Sequence, residues 1–117
     1  MELDGARLTK AELSLNERRC LALLLELPNA CMLFLSEGEL ALGTLAIATP
    51  IGTRVPSSAC VLGQRHSTLA RMLAERLASA RGKIAIVSLR AEGSEAEVAT
   101  RAMALLKEVL GGSGREP

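Results

Sequence analysis

The chain has 117 residues, 49% of them hydrophobic, and its 14 basic and 13 acidic side chains leave a net charge of +1. That length supports one domain, residues 1–117, with a core of its own, and the small, interspersed charge argues against bulk electrostatic binding to nucleic acid or to an anionic membrane. Phe34 is the single aromatic residue, which removes the stacking platforms that hold single-stranded nucleic acids and many nucleotides.

Residues 1–6 and 111–117 read as flexible ends. Arg7–Leu13 alternates weakly and predicts a first strand at a sheet edge, with Ser14–Glu17 as the turn after it. Arg18–Leu27 and Ala30–Ser36 read as strands joined by the tight-turn pair Pro28-Asn29, which sets Leu25 opposite Met32 and Leu23 opposite Phe34 on one face. Leu24 and Leu33 share the other. A strand with one wet face alternates apolar and polar residues, yet Cys20–Leu25 and Ala30–Leu35 run apolar without a break, so both sheet faces need cover. Gly38 interrupts the pattern and Leu40–Ala48 predicts the next strand, whose small residues Ala41, Gly43, Ala46 and Ala48 mark a place of close packing. Thr49–Pro56, with Pro50, Gly52 and Pro56, is a loop, and Ser57–Leu62 is a fifth strand ended by Gly63.

A helix follows, with Ser67 or Thr68 able to cap it and an apolar stripe at Leu69, Met72, Leu73, Leu77 and Ala80. Arg65, Arg71, Arg76 and Arg81 fall toward its outer side and ends, and Gly82 stops it. Lys83–Leu89 is a sixth strand. The capping box Ser94-x-x-Glu97 opens a second helix that buries Val98, Ala102, Leu105, Leu106 and Val109 and ends at Gly111. The expected fold is therefore α+β in the order βββββαβα: a single six-stranded, mostly antiparallel sheet with two helices on one face. Two short helices cover only that face, which leaves the other for dimerisation through Leu21, Leu23, Leu25, Met32 and Phe34.

No combination of residues predicts catalysis. His66 is the only histidine, so a His-containing triad would centre on it with Ser57, Ser58, Ser67 or Cys60 as nucleophile, but its place beside a helix start favours a capping or solvated role. A lone histidine with scattered carboxylates does not supply a zinc set. Glu37 and Glu39 flank Gly38 and read as polar turn residues rather than an acid/base pair, and the glycines from Gly111 follow a helix where a phosphate loop would precede one. No cofactor or metal is expected. Cys20, Cys31 and Cys60 lie in apolar runs without C-x-x-C spacing, as free buried thiols of a reducing compartment do. The N-terminal residues lack the basic and apolar regions of a signal peptide, so the expected location is the cytoplasm, with the nucleus a further one. The long apolar region from Cys20 to Ile51 is cut by Glu26, Pro28, Asn29, Glu37 and Glu39, short of the ~20 clean residues of a membrane span.

Four strings in order, Leu42-Gly-Thr-Leu-Ala-Ile-Ala, Val55-Pro-Ser-Ser-Ala-Cys-Val-Leu-Gly, Leu69-Ala-Arg-Met-Leu-Ala-Glu-Arg-Leu-Ala and Lys83-Ile-Ala-Ile-Val-Ser-Leu, together with the closing amphipathic helix, resemble the proteasome assembly chaperone 4 family. The related proteasome assembly chaperone 3 shares this architecture. The resemblance runs from about Arg18 to Leu110. It implies a non-enzymatic subunit that pairs sheet to sheet with a sister chaperone, or with itself, and holds alpha-type subunits of the 20S proteasome while their ring is assembled. Thr53 and Arg54 of the Thr49–Pro56 loop, with Arg65 and Arg71, are then the expected contacts to the alpha subunit. The alternative is a roadblock- or longin-like dimerising scaffold of a trafficking or GTPase-regulating complex, folds that place a helix at the start or between early strands.

Overall fold

The computed structural model describes residues 2–50 and 57–111 of the chain. Within the segment expected to be a flexible end, a two-residue strand, β1 (Glu2–Leu3), pairs with the start of β2 (Ala6–Leu15). β2 extends beyond the expected Leu13 because Asn16 and Glu17, both at positive φ (52° and 63°), make a two-residue turn whose twist suits a hairpin and sets Leu15 opposite Arg18. β3 (Arg18–Glu26) then returns at Pro28-Asn29 into β4 (Ala30–Glu37), closed by the Leu27 N–H donating to Ala30 O at 2.7 Å. The register of this hairpin is the expected one: Leu23 faces Phe34, Leu24 faces Leu33 and Leu25 faces Met32.

The remaining strands are β5 (Thr44–Ala48), β6 (Ser58–Leu62) and β7 (Ile84–Arg90), with α1 (Ser67–Arg81) before β7 and α2 (Glu95–Leu110) after it. All seven strands join one sheet in the order β1-β2-β3-β4-β7-β5-β6, and only the central pair β4–β7 is parallel. The six expected strands thus form the mostly antiparallel sheet of an α+β fold, with β1 added at one edge. Both helices lie on the same face, α1 over β5, β6 and β7 and α2 over β2 and β3. Neither helix is long and apolar enough to cross a membrane.

The start of β5 and the buried face of α1 differ from expectation. The strand expected from Leu40 begins only at Thr44, because the preceding backbone bonds to serine side chains rather than to a neighbouring strand. Ser36 Oγ donates to Glu39 O and accepts from Ala41 N–H at 3.3 Å, and Gly43 N–H donates to Ser88 Oγ at 2.8 Å. The apolar stripe of α1 is also rotated from its expected position. Met72 and Ala80 are exposed, and Ala70, Ala74 and Ala78 are buried beside Leu69, Leu73 and Leu77. The strands beneath present Ala46, Ala48 and Ala85, so alanines on the helix permit the close approach that longer side chains would prevent.

The ends of the helices follow local chemistry. α1 stops at Gly82, whose φ of 65° lets its N–H reach Ala78 O. Neither Ser67 nor Thr68 caps its start; His66 occupies that position in a left-handed conformation and makes no side-chain capping bond. α2 has the full reciprocal box, Glu97 N–H to Ser94 Oγ at 3.2 Å and Ser94 N–H to Glu97 Oε1 at 3.1 Å. Its expected core positions are all buried, and Arg101 is buried with them.

Candidate interaction surfaces

Strand alternation divides the sheet cleanly. Ala22, Leu24, Leu33, Leu35, Val87 and Ala46 point to the helices and are buried, whereas Leu23, Leu25, Met32, Phe34, Ile86 and Ile47 share the opposite face and are half-buried. Ile84, on that same face, is exposed. No described element covers this face. Of the five residues expected to form a dimer interface, Leu23, Leu25, Met32 and Phe34 form one contiguous apolar patch across β3 and β4. The fifth, Leu21, shares the face but is already buried within the chain. Its cross-strand neighbour Ser36 is one of the serines that tie down the segment between β4 and β5.

A polar site sits at one end of the sheet, where β3 begins and β4 and β7 end. Glu37 was expected to be a polar turn residue; it is instead the last residue of β4, with its side chain only 12% exposed. Its Oε2 accepts from Arg101 Nε at 2.6 Å, and its Oε1 accepts from Arg18 and from the Glu92 N–H, each at 3.1 Å. Arg101 also donates to Glu92 O at 2.5 Å, and Arg90 donates to Glu37 O at 3.2 Å. Burial disfavours the ionised Glu37 carboxyl, but the hydrogen bonds from Arg101, Glu92 and Arg18 outweigh it and hold the group below its ordinary value.

Beside this network lies an open cleft of about 590 Å³. Its walls are Arg18 and Arg19 from β3, Glu37 and Gly38 at the end of β4, Leu42–Thr44 at the start of β5, Gly63–His66 leading into α1, and Leu89–Glu92 closing β7. Gly43 is required here: a Cβ on it would stand 2.2 Å from Leu89 O. Thr44 Oγ1 donates to Arg65 O at 2.6 Å and fixes the loop that carries the Arg65 side chain into the cleft wall.

The residues expected to contact a protein partner are separated by the fold. Arg65 lines the cleft, whereas Arg71 lies on α1 and its Nε donates to Ser58 Oγ at 3.1 Å. Thr53 and Arg54 lie outside the described residues. Ser58 and Cys60, two of the candidate nucleophiles, are engaged elsewhere. Ser58 Oγ donates to Glu75 Oε2, Cys60 Sγ contacts Leu62 O and Gly63 O, and His66 Nε2 is buried without a hydrogen-bond partner. Cys20 and Cys31 are buried free thiols with pKa raised chiefly by burial, but Cys60, expected to be buried, is only half so because β6 is an edge strand. Among the described residues no group of His, Cys, Asp and Glu is placed to hold a metal ion.

No family model matches this sequence, and no curated protein matches it. Among solved structures, a chain of a chaperone complex for yeast 20S proteasome assembly has the same fold. It superposes with a TM-score of 0.66 at 11% identity, covering 92% of this chain and 94% of that one.

Proposed function

We propose that this chain is a proteasome assembly chaperone subunit, which pairs through its open sheet face with a sister chaperone or a second copy of itself and holds alpha-type subunits of the 20S proteasome during ring assembly. The observation that carries this reading is the uncovered apolar face of β3, β4, β7 and β5, in a chain that shares its fold with a member of a proteasome assembly chaperone complex. A soluble protein rarely leaves such a patch open, and a stable subunit interface buries about 800 Å² on each partner. The work is binding rather than catalysis: the partner occupies the sheet, and polar loops at its ends remain available to the client. Such rim contacts suit capture and release, because individually weak charged pairs speed association without locking the complex. The cytoplasm, and with it the nucleus, is where this activity would be exercised.

Affinity purification of the tagged chain from its host at low salt tests the reading. Free alpha-type subunits and a chaperone partner are the expected companions. Recovery of GTPase-regulator or trafficking subunits in their place, or of no proteasome subunit, refutes it.

A further inference from the structure

The cleft at the sheet end carries an excess of positive charge, although Arg90 also donates to Glu37 O at 3.2 Å. Four arginines, Arg18, Arg19, Arg65 and Arg90, line it against two carboxylates, Glu37 and Glu92. Glu37 is already neutralised from within by Arg101, which is not part of the cleft wall. Arg18 is held by Glu37, and Arg19 pairs with Glu12 at 3.1 Å, an exposed contact of little strength. Among the described residues, no carboxylate pairs with Arg65 or Arg90. The adjoining start of α1 carries no acidic residue in its first turn and no side-chain cap, so its N–H dipoles add positive potential to the same wall.

The other lining group is apolar. Leu42 is 57% exposed at the cleft, and Leu40 on the same loop is 51% exposed. An inorganic anion or a phosphate chain would gain nothing from leucine, and no Phe, Tyr or Trp lines the cleft for a base to stack on. A peptide carries both complements, carboxylates for the guanidinium forks and an aliphatic side chain for Leu42. The volume falls within the ~300–1,000 Å³ typical of sites for small ligands.

We infer that the cleft between Arg65, Arg90 and Leu42 is a binding site for an acidic peptide segment of a partner protein, carboxylates on the arginines and an apolar residue on Leu42. Arg65 and Leu42 sit on loops outside the strands, at the end of the sheet and away from the Leu25–Met32 end of the apolar patch. The inference rests on the chaperone reading only for the origin of the segment. Peptide binding is scored on the purified chain and not by recovery of proteasome subunits, so either can fail alone.

The test is titration with a fluorescein-labelled peptide Glu-Glu-Asp-Leu, its amide counterpart Gln-Gln-Asn-Leu, and inorganic phosphate as competitor. The acidic peptide is expected to bind at low salt, to move the amide resonances of Gly43, Gly63, Gln64 and Ala91, and to leave those of α2 in place. Arg65→Ala, at an exposed side chain, should weaken binding on the order of tenfold. Leu42→Ser should weaken the acidic peptide as well, and Arg76→Ala, outside the cleft, should have no effect. Equal binding of the amide peptide, displacement by phosphate at equal concentration, or unchanged affinity in both Arg65→Ala and Leu42→Ser overturns the inference.

Discussion

Arg101 and Glu37 stand 64 positions apart in the chain and meet at 2.6 Å, the guanidinium Nε donating to carboxylate Oε2. The pair fastens the middle of α2 to the end of β4, and the Arg101 side chain is only 4% exposed. Removing one member of such a pair strands the other without its countercharge. Glu37→Gln is therefore expected to cost ~3 kcal/mol at neutral pH in chemical denaturation. The folded pKa of Glu37 is depressed, so its contribution is complete above the ordinary value of 4.5 and disappears as pH falls through the lower folded value. Wild-type stability should fall over that acidic window, and Glu37→Gln should show a flatter profile there. Equal slopes for the two proteins would remove Glu37 from the account.

Gly43 brings the approach to β5 against the end of β7, with no room for a side chain beside Leu89 O. Gly43→Ala should lower stability by ~1–3 kcal/mol through displaced backbone. Loss of protection of the Gly43 amide in hydrogen exchange would locate the damage, since that N–H is bonded to Ser88 Oγ. An unchanged melting temperature would contradict the close approach.

The capping box of α2 gives a more local test. Ser94→Ala removes the acceptor for the Glu97 N–H and should cost about 1 kcal/mol, while Ser94→Asp, which keeps an acceptor, should cost much less. Thermal unfolding of the two variants side by side separates capping from a simple loss of polarity.

The open face and the sheet-end loops should divide their work. Leu23→Asp or Phe34→Asp places a charge in the middle of the apolar patch and should abolish recovery of the chaperone partner in pull-downs, with circular dichroism confirming a folded chain. Arg65→Glu should retain that partner and reduce capture of alpha-type subunits. Loss of both partners by Arg65→Glu, in a folded chain, would place the subunit interface on the wrong surface.

Much of this fold was legible because it is written in short-range pattern. The unbroken apolar runs around Leu23 and Phe34 give both the hairpin register and the unpartnered face, and the Ser94-Glu97 spacing marks the start of α2. What escaped was set by contacts between distant segments. Nothing near Arg101 distinguishes it from a solvated helix arginine, and only the arrival of Glu37 from the far side of the sheet explains its burial. Similarly, Leu40–Gly43 has the composition of a strand, but Ser36 and Ser88 capture its backbone groups first. Met72 stays exposed because the alanine-lined strands beneath α1 select small residues for contact, a preference that hydrophobicity does not carry. The cleft joins five separate strand ends and loops, so no single stretch of sequence announces it.

The central claim is that the β3–β4 face is made to be covered by another subunit. Sedimentation velocity of the purified chain at micromolar concentration, with a dye for exposed apolar surface, measures this directly. The account predicts a dimer or larger assembly of the 12.3 kDa chain, shifted toward monomer by Phe34→Asp. A stable wild-type monomer that binds no such dye would contradict it.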